Sequence, residues 1–84
     1  MEYEITIYDD VYNVVFVSEP VEVDNFIEMA TEVVRAYLDT DDAEYSPSYT
    51  VEFAEDNSDD VEVFVEVRHI GVDTFEAKLV ESDV

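Results

Sequence analysis

The chain has 84 residues, with 24 Asp and Glu against 3 Lys and Arg, a formal net charge of −21, yet 48% of it is hydrophobic. A disordered acidic tail lacks that apolar content, and an ordinary soluble domain mixes its charges. The composition therefore predicts one domain, residues 1–84, with a real core and an almost purely negative surface, which repels nucleic acid and attracts proteins that bind it. With no cysteine, neither disulfides nor thiolate metal sites can reinforce the fold.

No apolar run approaches the roughly 20 residues needed to span a bilayer. The start, Met1-Glu2-Tyr3-Glu4, lacks the basic region of a signal peptide. A soluble protein of the cytoplasm is expected, the host's cytoplasm if a phage encodes it. Val supplies 16 residues and Leu only 2, which favours sheet over helix.

Glu2 to Tyr8 alternates, with Tyr3, Ile5 and Ile7 on one side, and reads as a half-buried strand. Asp9-Asp10 makes a tight turn. Val11 to Val17 is apolar on both faces apart from Asn13 and reads as a more central strand, paired with the first as a hairpin. Ser18-Glu19-Pro20 breaks it.

The period then changes from 2 to 3.6. Val23, Phe26, Ile27, Ala30, Val33, Val34, Tyr37 and Leu38 form one stripe, which predicts a helix over Asp24 to Asp39. It starts either with Pro20 in the first turn or with Asn25 as cap and Glu28 as its capping-box partner.

Thr40 to Pro47 is a polar connection. Tyr49, Val51 and Phe53 share one face of the next strand, and Val61, Val63, Val65 and Val67 share one face of the strand after it. Glu55 to Asp60 is an acid-rich hairpin loop between them. His69 to Asp73 makes a turn, and Thr74 to Val80 is the last strand, with Phe75, Ala77 and Leu79 on one side. The expected fold is α+β: an antiparallel sheet of about five strands, in the order β-β-α-β-β-β, with the helix on one face.

Catalysis is not expected. His69 is the only histidine and sits beside Arg68 at a turn; no Ser, His and Asp form a nucleophile arrangement, and there is no glycine-rich phosphate loop. Hard cations favour carboxylates, but the best calcium-like segment, Asp56 to Val67, carries Val61 and Val67 where the loop needs Gly and Glu. Weak, non-specific divalent binding is expected there, with no dedicated metal site and no cofactor.

The outward positions of the strands carry Glu2, Glu4, Glu52, Glu62, Glu66 and Glu76, while Arg68 and Lys78 are the only strand cations. Alternate strand residues lie roughly 6.5–7 Å apart and neighbouring strands roughly 4.8 Å apart. That lattice is comparable with the phosphate spacing of about 3.4 Å per DNA strand. The densest group, Glu52, Asp56, Asp59, Asp60, Glu62 and Glu66 with Phe64 among them, is the expected partner-binding surface. Tyr8, Tyr12 and Tyr45 join Phe64 as aromatics among charges, as interface hot spots do. Alternatively, Phe64 covers a second small core or a homodimer contact.

In size, charge and aromatic-rich acidic sheet character, the whole chain resembles the small acidic DNA-mimic proteins of bacteriophages. These inhibit uracil-DNA glycosylase, restriction enzymes, CRISPR nucleases and the nucleoid protein HU. Glu44-Tyr45-Ser46-Pro47, entering a strand, is similar to a segment of the phage inhibitors of uracil-DNA glycosylase. The resemblance implies a DNA-mimic inhibitor that occupies the basic surface of a host DNA-binding protein, such as a nucleoid protein, a nuclease or RNA polymerase. Such a protein binds neither DNA nor membranes. The rival expectation is a haloadapted protein, whose dense carboxylate shell keeps it hydrated in high salt.

Overall fold

The structure, a computed structural model, describes residues 2–55, 62–71 and 74–80. The elements run β1 (Glu2–Tyr8), β2 (Val14–Val17), β3 (Val21–Glu22), α1 (Phe26–Leu38), β4 (Ser48–Glu55), β5 (Glu62–Gly71) and β6 (Thr74–Val80). All pairings are antiparallel, in the order β2-β1-β4-β5-β6, and β3 also pairs β1. This is the expected α+β architecture, one helix on an antiparallel sheet, with the short β3 as an additional sixth strand.

The period-two pattern places the core. Tyr3, Ile5 and Ile7 of β1, Tyr49, Val51 and Phe53 of β4, and Val65 and Val67 of β5 are buried on one face, facing Ala30, Val34 and Tyr37 of the helix. Removing such side chains from water supplies roughly 1.5–3 kcal/mol each. Phe26 joins helix to sheet through edge contacts with Tyr3 and Phe53, at 5.2 and 5.1 Å between ring centroids. Ile27, expected within the stripe, lies at its margin and is exposed.

Asn25 caps the helix, its side chain accepting a hydrogen bond from the Glu28 N–H at 3.1 Å. This satisfies one of the donors that a helix start leaves unpaired. The helix therefore begins at Phe26 rather than Asp24, and Pro20 lies outside it.

The expected central strand over Val11 to Val17 is not formed. The Asp9 carboxylate accepts from the Val11 and Asn13 N–H groups at 3.0 and 2.8 Å, so the chain turns as far as Asn13. Tyr12 is held there at a left-handed φ of 63°, a conformation costing roughly 1–2 kcal/mol for a residue with a side chain. What remains, β2, is an edge strand, because β4 takes the other side of β1. Val14 and Val17 are exposed. Past the Ser18–Pro20 break, β3 resumes pairing with β1, so this edge is short and interrupted.

The helix lies over β5 and β6 and, less fully, β4. On its other side an apolar groove of about 200 Å³ opens between Met29 and Val33 of the helix and Phe16 and Val21 of the edge. The expected turn at His69 is also displaced. β5 continues to Gly71 with an irregularity after His69, and Ile70 is exposed there.

Candidate functional site

The sheet face away from the helix is set by register. Thr6 of β1 opposes Glu52 of β4, Glu52 opposes Phe64 of β5, and Phe64 opposes Val80 of β6. One row along, Tyr8, Thr50, Glu66 and Lys78 stand in line; in the other direction, Glu4, Ala54 and Glu62 do so. Alternation then places Glu2, Arg68 and Glu76 on the same face.

Among the residues expected to bind a partner, the structure thus brings together Glu52, Phe64 and Glu66, with Glu62 in register beside Ala54. Asp56, Asp59 and Asp60 lie outside the described residues, as does most of the calcium-like segment before β5. Among the described residues, no three His, Asp or Glu side chains are grouped to hold a metal ion.

The middle of the face is aromatic. Phe64 is half-buried and, with Tyr8, Tyr12, Thr50, Glu66 and Val80, lines a shallow depression of about 350 Å³. The Tyr8 hydroxyl donates to Glu52 Oε1 at 2.7 Å, which fixes one carboxylate beside the depression. Tyr12, 72% exposed, comes to its rim from the strained turn after β1. The sequence marked Tyr8 and Tyr12 only as aromatics among charges; the strand pairing reveals that they share a hollow with Phe64.

The charge of this face is uneven, which the sequence pattern missed. Lys78 Nζ lies 3.8 Å from Glu66 Oε1, and Arg68 opposes Glu76 across β5 and β6. The third cation, Arg35, lies over the Phe75 ring at 5.5 Å. All three cations of the chain therefore sit on the β5–β6 side. The β1–β4 side of this face holds Glu2, Glu4 and Glu52 with no cation on either strand. Its potential is the more negative, and Glu66 is a partly compensated member of the array.

His69 stacks on Phe75 at 4.9 Å and meets Tyr45 at 5.2 Å, within β5 rather than at a turn. Glu44 to Pro47 is pinned from both layers. The Tyr37 hydroxyl accepts from the Glu44 N–H at 2.9 Å. The Tyr49 hydroxyl accepts from the Ser46 N–H and donates to the Glu44 carbonyl, both at 2.8 Å. Ser46 in turn donates to Asp10 Oδ1 at 2.8 Å, tying this segment to the β1–β2 turn. Burial pushes the Tyr49 phenol above its ordinary value of 10.0, against the opposing pull of its Ser46 hydrogen bond.

No helix among the described residues is long and apolar enough to cross a membrane. Compared with family models, curated proteins and solved structures, the chain matches none of them.

Proposed function

We propose that the protein is a DNA-mimic inhibitor, which occupies the basic nucleic-acid-binding surface of a DNA-binding protein and excludes DNA from it. The observation that carries this reading is the helix-free sheet face, where carboxylates at strand spacing surround an aromatic hollow. The carboxylates stand in for phosphates, steering a fast encounter with a cationic surface. Phe64, Tyr8 and Tyr12 supply the apolar contacts that slow dissociation. The mechanism is steric and electrostatic.

The test is capture from a bacterial lysate by the wild-type protein and by a variant with Glu4, Glu52 and Glu66 changed to Gln and Phe64 to Ala. A captured DNA-binding protein should be lost with the variant and released by duplex DNA. Saturable binding of DNA by the protein itself would overturn the reading. So would equal capture by both proteins.

A specific observation also favours salt adaptation. Glu28 and Glu32 are exposed on the helix, and Asp39, Asp41, Asp42 and Glu44 beyond it, so acids are not confined to one face. A haloadapted protein is unfolded in dilute buffer and folds in molar salt; a mimic is folded in dilute buffer and loses its partner as salt rises. Circular dichroism across a salt series separates the two.

A further inference from the structure

The two edges of the sheet are unlike. The β2–β3 edge is broken at Ser18–Pro20 and bulged opposite Ile7 and Tyr8, devices that keep an edge from pairing. At the other edge, β6 is an unbroken seven-residue strand. Among the described residues no strand lies beyond it. Leu79 and Val80 are exposed on it. Glu76 and Lys78 are the two charged residues on it, and edge charges discourage pairing only where nothing opposite answers them.

We propose that β6 pairs with β6 of a second copy, antiparallel about a two-fold axis through Ala77, joining the two sheets into one. The order of residues along the strand selects this register. Centred on Ala77, Glu76 faces Lys78 of the other copy twice, and Phe75 faces Leu79 twice. Centred on Glu76 or on Lys78, like charges face each other. A shift to odd registers sets Glu76 or Lys78 against Ala77 or Leu79, across strands whose helix faces are reversed. Directly opposed unlike charges and apolar pairs are favourable in a sheet, and like charges are not.

The pairing extends a pattern already present. Glu66 faces Lys78, and Arg68 faces Glu76, within one sheet. Across the axis each row reads Glu66, Lys78, then Glu76 and Arg68 of the second copy, alternating in sign over four strands. The chain's three cations lie on this side, so β6 is where a protein of net charge −21 meets its own copy with least repulsion. The remaining long-range repulsion is screened by salt. Self-association therefore strengthens as salt rises, the reverse of a complex with a basic partner, and it stands whether or not that partner exists.

Sedimentation equilibrium of the full chain over a concentration and salt series tests the proposal. The wild type should show a monomer–dimer equilibrium that salt shifts toward dimer. Glu76→Lys alone and Lys78→Glu alone should each weaken it about tenfold or more, because like charges then oppose twice. Mixed in equal amounts, the two variants should associate with each other, since the first carries lysine at both of these positions and the second carries glutamate at both. An independent measurement uses the absence of native cysteine: Ala77→Cys, adjacent to itself at the axis, should oxidise to a covalent dimer, while Ala36→Cys on the helix should not. A wild type that stays monomeric at millimolar concentration in high salt overturns the proposal. So do single variants that dimerise as well as the wild type, or a mixture that gains nothing over its components.

Discussion

Two tyrosine hydroxyls organise the segment that connects helix and sheet. Tyr49 is almost fully buried, and its hydroxyl serves the Ser46 N–H and the Glu44 carbonyl together. Tyr49→Phe keeps the ring in place and leaves both backbone groups without that partner. An unsatisfied buried polar group costs about 1–3 kcal/mol, so the variant should lose stability in that range in a denaturant titration. The phenol also makes stability depend on pH. Its folded value lies above 10.0, chiefly because burial disfavours the phenolate. The folded state therefore binds the Tyr49 proton more tightly than the unfolded chain does. Its contribution is complete below the unfolded value and is lost as pH rises through the folded one. Wild-type stability should fall at alkaline pH above that of the free phenol, and Tyr49→Phe should fall less steeply over the same window. Parallel slopes for the two proteins would count against this assignment.

At the scale of elements, the helix is the piece without which the sheet has no covered face. Val34 is fully buried at its centre. Val34→Asp places a charge there that no described cation can reach, since Arg35, though next in sequence, is exposed and engaged over Phe75. Desolvating an unpaired carboxylate costs on the order of 3–5 kcal/mol. Against a total of about 5–15 kcal/mol for a natural domain, the thermal transition should drop sharply or disappear. An unchanged melting temperature would show that the helix does not pack as described.

This helix was legible in the sequence because its stripe repeats at 3.6 residues and Asn25 stands where a cap is needed. β1, β4 and β5 were legible through alternation. The strand over Val11 to Val17 was not. Its apolar residues on both faces resemble a central strand, but centrality depends on which strands flank it, and that is decided by the long-range pairing of β1 with β4. The Asp9 turn that shortens it arises from side-chain hydrogen bonds to the backbone, whose reach along the chain the residue types alone do not declare. The candidate face divides in the same way. Which residues look outward follows from period two. That Lys78 answers Glu66 and Arg68 answers Glu76, leaving the β1–β4 side the more negative, follows only from the β5–β6 register.

At the scale of the whole molecule, the charge is a burden on the fold and, in the proposed function, a means of recognition, and the two have opposite signatures. Carboxylates crowded on a small body repel one another, so neutralising them should stabilise the fold most where salt is low. An exposed ion pair contributes only roughly 0–1 kcal/mol to binding, so no single carboxylate should decide capture of a basic partner. Changing Glu2, Glu4, Glu52, Glu62 and Glu66 together to Gln should therefore abolish partner capture, whereas any one of these changes should weaken it modestly. Glutamine at position 52 still accepts from the Tyr8 hydroxyl, so the aromatic hollow is kept. The same five changes should raise the melting temperature in dilute buffer, with the gain shrinking toward zero in molar salt. The matched control changes Glu28, Glu32 and Asp39, which are exposed along the helix and at its C-cap; Glu22, although exposed, pairs with Glu2 in β3 and so belongs to the sheet. It should raise the melting temperature in the same salt-dependent way and leave capture intact. That contrast separates recognition by the sheet face from the general effect of net charge. Should the helix variant lose the partner as fully as the sheet variant, total charge rather than the sheet lattice would be what a partner reads. The arrangement of Glu52 beside Phe64 and Tyr8 would then have no part in recognition.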